Sequence, residues 1–299
     1  MRRYLIGMRR LIAILVPAGL FVAGLVVATS TPGTEPEPAA AVDERAAAAM
    51  EPQDGHRDDD RRKRLAHRAA ARRHARIARA GEYAAARGGR VAFAIVGPDG
   101  RLHGRNEHER FQSASAVKAL ILAAELQRIA AAGERLDPGI AAELRRMITV
   151  SDNDAATSVF ARVGPEGLDA IAHRAGMRDF RSSTTWGASA ISAADMAAMF
   201  ADLGHLLPER FQRFGLGLLG SIVPEQSWGV ARIGSERGWS VRFKGGWRPD
   251  PGGAVVNQTA ELRRDGAEGA IAVLTDRQPS IPYGIATIEG VAKRLLGSG

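Results

Sequence analysis

The stretch Ser240–Asp276, SVRFKGGWRPDPGGAVVNQTAELRRDGAEGAIAVLTD, decides the fold. It holds three runs of apolar and β-branched residues, Ser240–Trp247, Ala254–Arg264 and Gly269–Asp276, separated by clusters of Pro, Gly and Asp. Such runs between turn signals read as consecutive strands. Working outward, Tyr283–Leu296 has apolar residues at helical spacing and closes the chain as an amphipathic helix. Far upstream, Arg90–Val96 (RVAFAIV) reads as a buried strand, Gly97-Pro-Asp-Gly as a turn, and Arg101–Asn106 as the returning strand of a hairpin. The middle of the chain is helical. Ser115–Ala132, Pro138–Met147, Asp154–Arg162, Pro165–Ala175 and Pro208–Leu219 are predicted helices, and Ser192-Ala-Ala-Asp195 is a capping box that opens one more. Two early strands and three late ones around a helical middle predict an α/β (α+β) fold. A five-stranded antiparallel sheet, formed from both chain ends, would stand beside a helical lobe.

The 299 residues are 45% hydrophobic, too apolar for a wholly disordered chain and enough for a substantial core. With no cysteine, disulfides, thiolate-bound zinc, iron–sulfur clusters and a cysteine-linked lipid anchor are excluded. The net charge of +8 would suggest an anionic partner, but it is unevenly spread. Residues 1–28 carry +4, residues 29–56 carry −5, residues 57–79 carry +7, and the remaining 220 carry only +2. The basic excess thus belongs to the N-terminal quarter, and the body is nearly neutral.

That quarter divides into three. In residues 1–28, Arg2, Arg3, Arg9 and Arg10 precede an apolar run from Leu11 to about Ala28, which predicts a signal peptide or an uncleaved membrane anchor. Residues 29–60 have the Pro-, Glu- and Ala-rich composition of a disordered linker. Residues 61–87 read as a basic helix leading into the domain, either simply solvated or presenting a stripe to anionic lipid or wall polymer. No aromatic residues interleave with the arginines, so nucleic acid is not an expected partner. The body, residues 88–299, is expected to be secreted or held on the outer face of the cytoplasmic membrane, and to be a monomer.

Arginine outnumbers lysine 37 to 4, so a motif containing lysine carries more weight here. Ser115-Ala-Val-Lys118 opens an apolar helix. Residues three apart share a helix face, so the amine can reach the hydroxyl. Serine needs an adjacent base to act as a nucleophile, and a desolvated lysine can be one. An ordinary N-cap serine and a surface lysine would look the same, but the following Ala-Leu-Ile-Leu-Ala-Ala argues for burial. Ser151-Asp152-Asn153 lies between two helices and would serve equally as a cap or as a hydroxyl and amide for a substrate. Lys244-Gly245-Gly246 sits on the strand ending in Trp247. The lysine there is a fixed positive charge, and the glycines allow a close approach to the strand. The seven histidines are scattered without ligand spacing, so neither a metal nor another cofactor is expected.

In this order, Ser-x-x-Lys, Ser-Asp-Asn and Lys-Gly-Gly resemble the motifs of the penicillin-recognising serine acyl-enzymes, class A β-lactamases above all, over roughly residues 85–298. The resemblance implies a β-lactamase/transpeptidase-like fold. It also implies that Ser115 attacks a β-lactam or a D-Ala-D-Ala-like peptide, that Lys118 takes its proton, and that Ser151 passes a proton to the departing nitrogen. Asn153 and Lys244 would hold the substrate. Gly246 and Trp247 would border it, and the N–H groups of Ser115 and Trp247 would form the oxyanion hole. Two departures stand out. The family's Lys-Thr/Ser-Gly has Gly245 at its centre, which removes a hydroxyl; Arg248 or another arginine could compensate. The loop after Ser-Asp-Asn, about Arg178–Ile191, contains no glutamate to activate a deacylating water. Glu166 lies earlier at a helix start, and Asp179 is the loop's only acid. A hydrolase that deacylates slowly is therefore expected, with a non-hydrolytic binding or sensing module of the cell wall as the alternative.

Overall fold

The computed structural model describes residues 53–297, of which 56–297 belong to one compact unit. The export segment expected in residues 1–28, and most of the expected linker, lie outside the described residues. Among the described residues no helix is long and apolar enough to cross a membrane.

Five antiparallel strands build the central sheet: β1 (Arg90–Val96), β2 (Leu102–Arg105), β5 (Ser240–Arg248), β6 (Ala254–Arg264) and β7 (Ala267–Gln278). Their order is β2-β1-β7-β6-β5, so one edge comes from the early hairpin and the other from the late strands. The expected five-stranded antiparallel sheet drawn from both chain ends is present. A short pair, β3 (Phe111–Gln112) and β4 (Ala190–Ile191), lies outside it. β6 is buried at nine consecutive positions, Ala254–Leu262. Successive side chains alternate between faces, so both faces of the sheet are covered there.

The helices follow the predicted punctuation. α2 (Lys118–Ala131) extends a 3₁₀ turn, Ala114–Val117, and is buried over most of its length. Asp137 caps α3 (Pro138–Thr149), and Asp152 caps α4 (Asn153–Arg174). α4 contains both helices expected on either side of residue 164. Gly164 lies at φ 64°, ψ 178° and breaks the run just before Pro165. Ser192 caps α5 (Ala193–Ala201) through the Asp195 N–H, as the capping box predicts. The short α6 (Leu203–Leu206) and α7 (Glu209–Leu219) follow. α8 (Gly229–Ser235) was not expected, because seven residues containing two glycines show too little periodicity to read. α9 (Ile281–Leu296) packs on β6 and β7, and α5 on β1 and β7.

α1 runs Gln53–Ala85, eight residues longer at its start than the predicted basic helix. It therefore takes over the last part of the expected 29–60 linker. Asp59 stands four residues ahead of Lys63, an order that supports a helix. Its C-terminal end is locked to α9. Tyr83 Oη donates to the Ala286 carbonyl at 3.2 Å, Arg294 stacks over the Tyr83 ring at 3.9 Å, and Arg87 stacks over Tyr283 at 3.6 Å. Gly290 makes room for the Tyr83 ring, since a Cβ there would lie 2.2 Å from it. Gly290→Ala is expected to displace Tyr83 and cost about 1–3 kcal/mol in thermal or chemical unfolding. An unchanged Tm would show that α1 is not docked this way.

Candidate active site

The three sequence motifs meet in one cleft between the helical lobe and edge strand β5. Ser115 lies in the 3₁₀ turn at the head of α2, half-buried, directly after Ala114 at φ 44°. Lys118, the first residue of α2, is fully buried, as is Lys244 in the middle of β5. Ser151, at φ 59°, sits in the turn between α3 and α4 and points its hydroxyl at both amines. Its Oγ is 3.3 Å from Lys118 Nζ and 3.2 Å from Lys244 Nζ.

Lys118 Nζ also donates to the carbonyls of Ser151 (2.6 Å) and Asp152 (3.2 Å) and to Asn153 Oδ1 (2.8 Å). The Ser-Asp-Asn turn thus separates its duties. Asp152 caps α4 by accepting from the Ala155 N–H, which leaves Ser151 and Asn153 for the cleft. Lys244 Nζ donates to its neighbouring Gly245 carbonyl at 2.8 Å. Among the described residues the Ser115 hydroxyl makes no hydrogen bond, and the expected one to Lys118 is not formed. The ammonium instead turns to the carbonyl oxygens of the 151–152 turn.

Burial pushes Lys118 down to about 8, against the opposing pull of the Asp152 charge. Burial pushes Lys244 down to about 7, and the Lys118 charge adds to this. Both amines can therefore change charge near neutrality, as a base or a proton carrier must. Asp152 is held below the ordinary carboxyl range chiefly by the Ala155 N–H, with Arg146 and Lys118 contributing.

The glycines of Lys244-Gly245-Gly246 have separate reasons. A Cβ at Gly246 would lie 2.5 Å from the Ala116 nitrogen and 2.7 Å from the Ser115 nitrogen and the Ser113 oxygen. Only glycine lets β5 come this close to the Ser115 amide, which brings Trp247 alongside it. At Gly245, a Cβ would meet the Trp228 ring at 3.2 Å, so an indole occupies the space of the missing hydroxyl side chain. Trp228 and Trp247 pack edge to face, centroids 5.6 Å apart. Arg248 does not supply a free charge in exchange. It is tied to Asp250 at 2.6 Å and to the Gln112 side chain.

Two further participants belong to no motif. Trp186, readable from the sequence as packing or as a ring lining the cleft, lies under the Lys118 ammonium at 4.8 Å and donates its Nε1–H to Thr157 at 3.2 Å. Buried Asn257 on β6 donates to the carbonyls of Gln112 (2.8 Å) and Ser113 (3.4 Å) and accepts from the Thr275 N–H (3.0 Å). It pins the segment before Ser115 to the sheet. No local signal distinguishes an asparagine inside an apolar strand that does this from one that does not.

Of the two acids weighed from the sequence, Asp179 accepts from His108 at 2.9 Å, and Glu166 folds back over Gly164 at the break in α4. Among the described residues no group of three or more metal-ligating side chains comes together.

Residues 140–298, just over half of the chain, match the family model described as the β-lactamase enzyme family. The chain belongs to that family and is a β-lactamase-like serine hydrolase. Solved structures share its fold. A β-lactamase from Sphaerobacter thermophilus is 23% identical, over 74% of this chain and 95% of that one, with a TM-score of 0.63. One from Xanthomonas campestris pv. campestris is 22% identical, over 74% and 97%, with a TM-score of 0.65. An ancestral class A β-lactamase is 24% identical, over 74% and 98%, with a TM-score of 0.64. No curated protein matches the sequence.

Gly246→Ala is expected to drive β5 away from the Ser115 amide and lower acylation of Ser115 at least a hundredfold, a loss typical of one misplaced oxyanion donor. Activity within a few-fold of the parent would show that the close approach is dispensable. Lys244 tests the cost of the site. Its folded pKa lies below the ordinary 10.5, so the unfolded chain binds more protons between about pH 7 and 10.5. The stability this group contributes therefore rises with pH across that window, and its burial penalty is full below pH 7. Lys244→Met is expected to stabilise the protein by about 3 kcal/mol at pH 6, with a smaller gain at pH 9, in urea unfolding. A loss at pH 6, or a gain that does not vary with pH, would contradict the burial argument.

Proposed function

We propose that the chain is an exported serine hydrolase that forms an acyl-enzyme on Ser115 with β-lactams or D-Ala-D-Ala-like peptide amides. The observation that carries the reading is the convergence of Lys118 and Lys244 on one hydroxyl, Ser151 Oγ, at 3.3 and 3.2 Å beside the Ser115 turn. In its neutral form Lys118 accepts the Ser115 proton as Oγ attacks the carbonyl carbon. The C–N bond then breaks, and the proton passes through Ser151 Oγ to the departing nitrogen. The backbone N–H groups of Ser115 and Trp247 receive the oxyanion. Lys244 attracts the substrate carboxylate and Asn153 holds the side-chain amide. Export rests on the arginine-led apolar run of residues 1–28, with any membrane contact made there and through residues 57–79.

Deacylation is the weak step. The loop of residues 178–191 carries no glutamate, and its one acid, Asp179, is engaged by His108. The same observation favours a second reading, a cell-wall binding or sensing module that captures a peptide or β-lactam without turning it over.

Incubation with a chromogenic cephalosporin is expected to give a mass increment on Ser115 that persists for minutes, with turnover well below one per second. The acylation rate is expected to rise about tenfold per pH unit below about 8 and level off above it, as Lys118 loses its proton. Ser115→Ala should abolish the adduct. Turnover of tens per second would overturn slow deacylation, and binding that survives Ser115→Ala without any adduct would favour the non-covalent module.

A further inference from the structure

A cavity of about 690 Å³ lies away from the Ser115 site, between α1, the strands β1, β6 and β7, and the end of α9. Its lining is of two kinds. Ile77, Val96, Trp239, Leu262 and Leu296 make it apolar. Leu65, which also lines it, is 56% exposed, one of two large apolar side chains so exposed among the described residues. The cavity runs along α1 from Leu65 to Ile77, about 18 Å by helix rise.

Against this apolar lining stand six arginines and a single acid. Arg73 is satisfied by Asp99 at 2.8 Å, and Arg264 stacks on Trp239 at 4.5 Å. Glu268 is engaged by Arg263, outside the cavity. Arg68, Arg72, Arg76 and Arg237 form no ion pair among the described residues. Burial pushes the Arg237 guanidinium below its ordinary range; Glu236 opposes this, and the charge of Arg76 adds to it. Arg237 donates to the Lys293 carbonyl at 3.0 Å, and Arg68 and Arg72 stand exposed at the rim. Guanidinium groups without an ion pair beside an apolar slot suit an anion joined to a hydrocarbon.

We propose that this cavity binds a single-chain anionic amphiphile, an alkyl chain ending in a phosphate or carboxylate, with the chain along Leu65–Ile77 and the head among Arg72, Arg76 and Arg237. The chain's own acidic segment, residues 29–52, is a poorer occupant. It carries the charge but has no Leu, Ile, Phe or Trp to fill the slot. The assignment is independent of Ser115 chemistry, and its test does not read activity.

The full chain would be irradiated with a diazirine-bearing alkyl phosphate, the matching fatty acid, and the matching neutral alcohol, and adducts mapped by peptide mass spectrometry. Saturable labelling of residues 65–77, 237–239 or 262–271 by either anionic probe is expected, displaced by unlabelled alkyl phosphate but not by inorganic phosphate. Arg72→Glu with Arg76→Glu should lower labelling at least tenfold. Arg61→Glu with Arg64→Glu makes the same charge change on exposed α1 positions outside the cavity and should leave labelling unchanged. Scattered adducts, equal labelling by the alcohol, displacement by inorganic phosphate, or an equal loss in the Arg61/Arg64 variant would overturn the proposal. So would labelling that appears only after removal of residues 29–52, or only in the presence of an anionic bilayer.

Discussion

Two lysine amines share the hydroxyl of Ser151, and the architecture around the cleft serves to keep them there. Lys118 comes from the first turn of α2 and Lys244 from the edge strand β5, so one serine ties the helical lobe to the sheet. Taking two like charges out of water is unfavourable, and the structure offsets it locally. Three oxygens of the 151–153 turn, besides the hydroxyl, receive Lys118, while a carbonyl of β5 receives Lys244. Ser151 must adopt a left-handed backbone to present both its carbonyl and its hydroxyl to the same amine. Strain, burial and charge repulsion are concentrated where the chemistry would occur, and the covered sheet and buried α2 supply the stability that permits it.

The parts of the molecule legible in the sequence are those with local causes. The late strands are runs of β-branched residues cut by Pro and Gly, and β1 and β6 begin and end where those cuts fall. The caps at Asp137, Asp152 and Ser192 are short-range hydrogen bonds to nearby N–H groups. The lysine motifs stood out because lysine is scarce. What stayed hidden depends on partners far apart in sequence. Trp228 filling the space beside Gly245, Asn257 holding the Ser113 carbonyl, and Trp186 lying against Lys118 join segments 17 to 144 residues apart. The Ser115–Lys118 pair shows the converse. They stand three residues apart, yet the amine's hydrogen bonds go to the 151–153 turn, which spacing alone does not reveal.

The aromatic character of the cleft follows from the same departures that separate its motifs from the family pattern. Where a hydroxyl would line the strand, Trp228 closes on Gly245, and Trp247 packs against it. From the loop that lacks a glutamate, Trp186 presents its face to the ammonium. Arg248, a cation that could have restored polarity, is paired with Asp250. The walls near Ser115 are thus less polar than the motifs alone suggest, which strengthens each remaining charge interaction within them.

The burial of Lys118 and Lys244 has a consequence for the chemistry of the whole polypeptide. Of four lysine side chains, only Lys63 and Lys293 lie exposed. An amine-directed acylating reagent in solution therefore meets a folded domain with two accessible side-chain targets and an unfolded one with four. The folded cleft hides half of the chain's lysine amines, so any opening of the lobe away from β5 is written directly into its covalent labelling pattern.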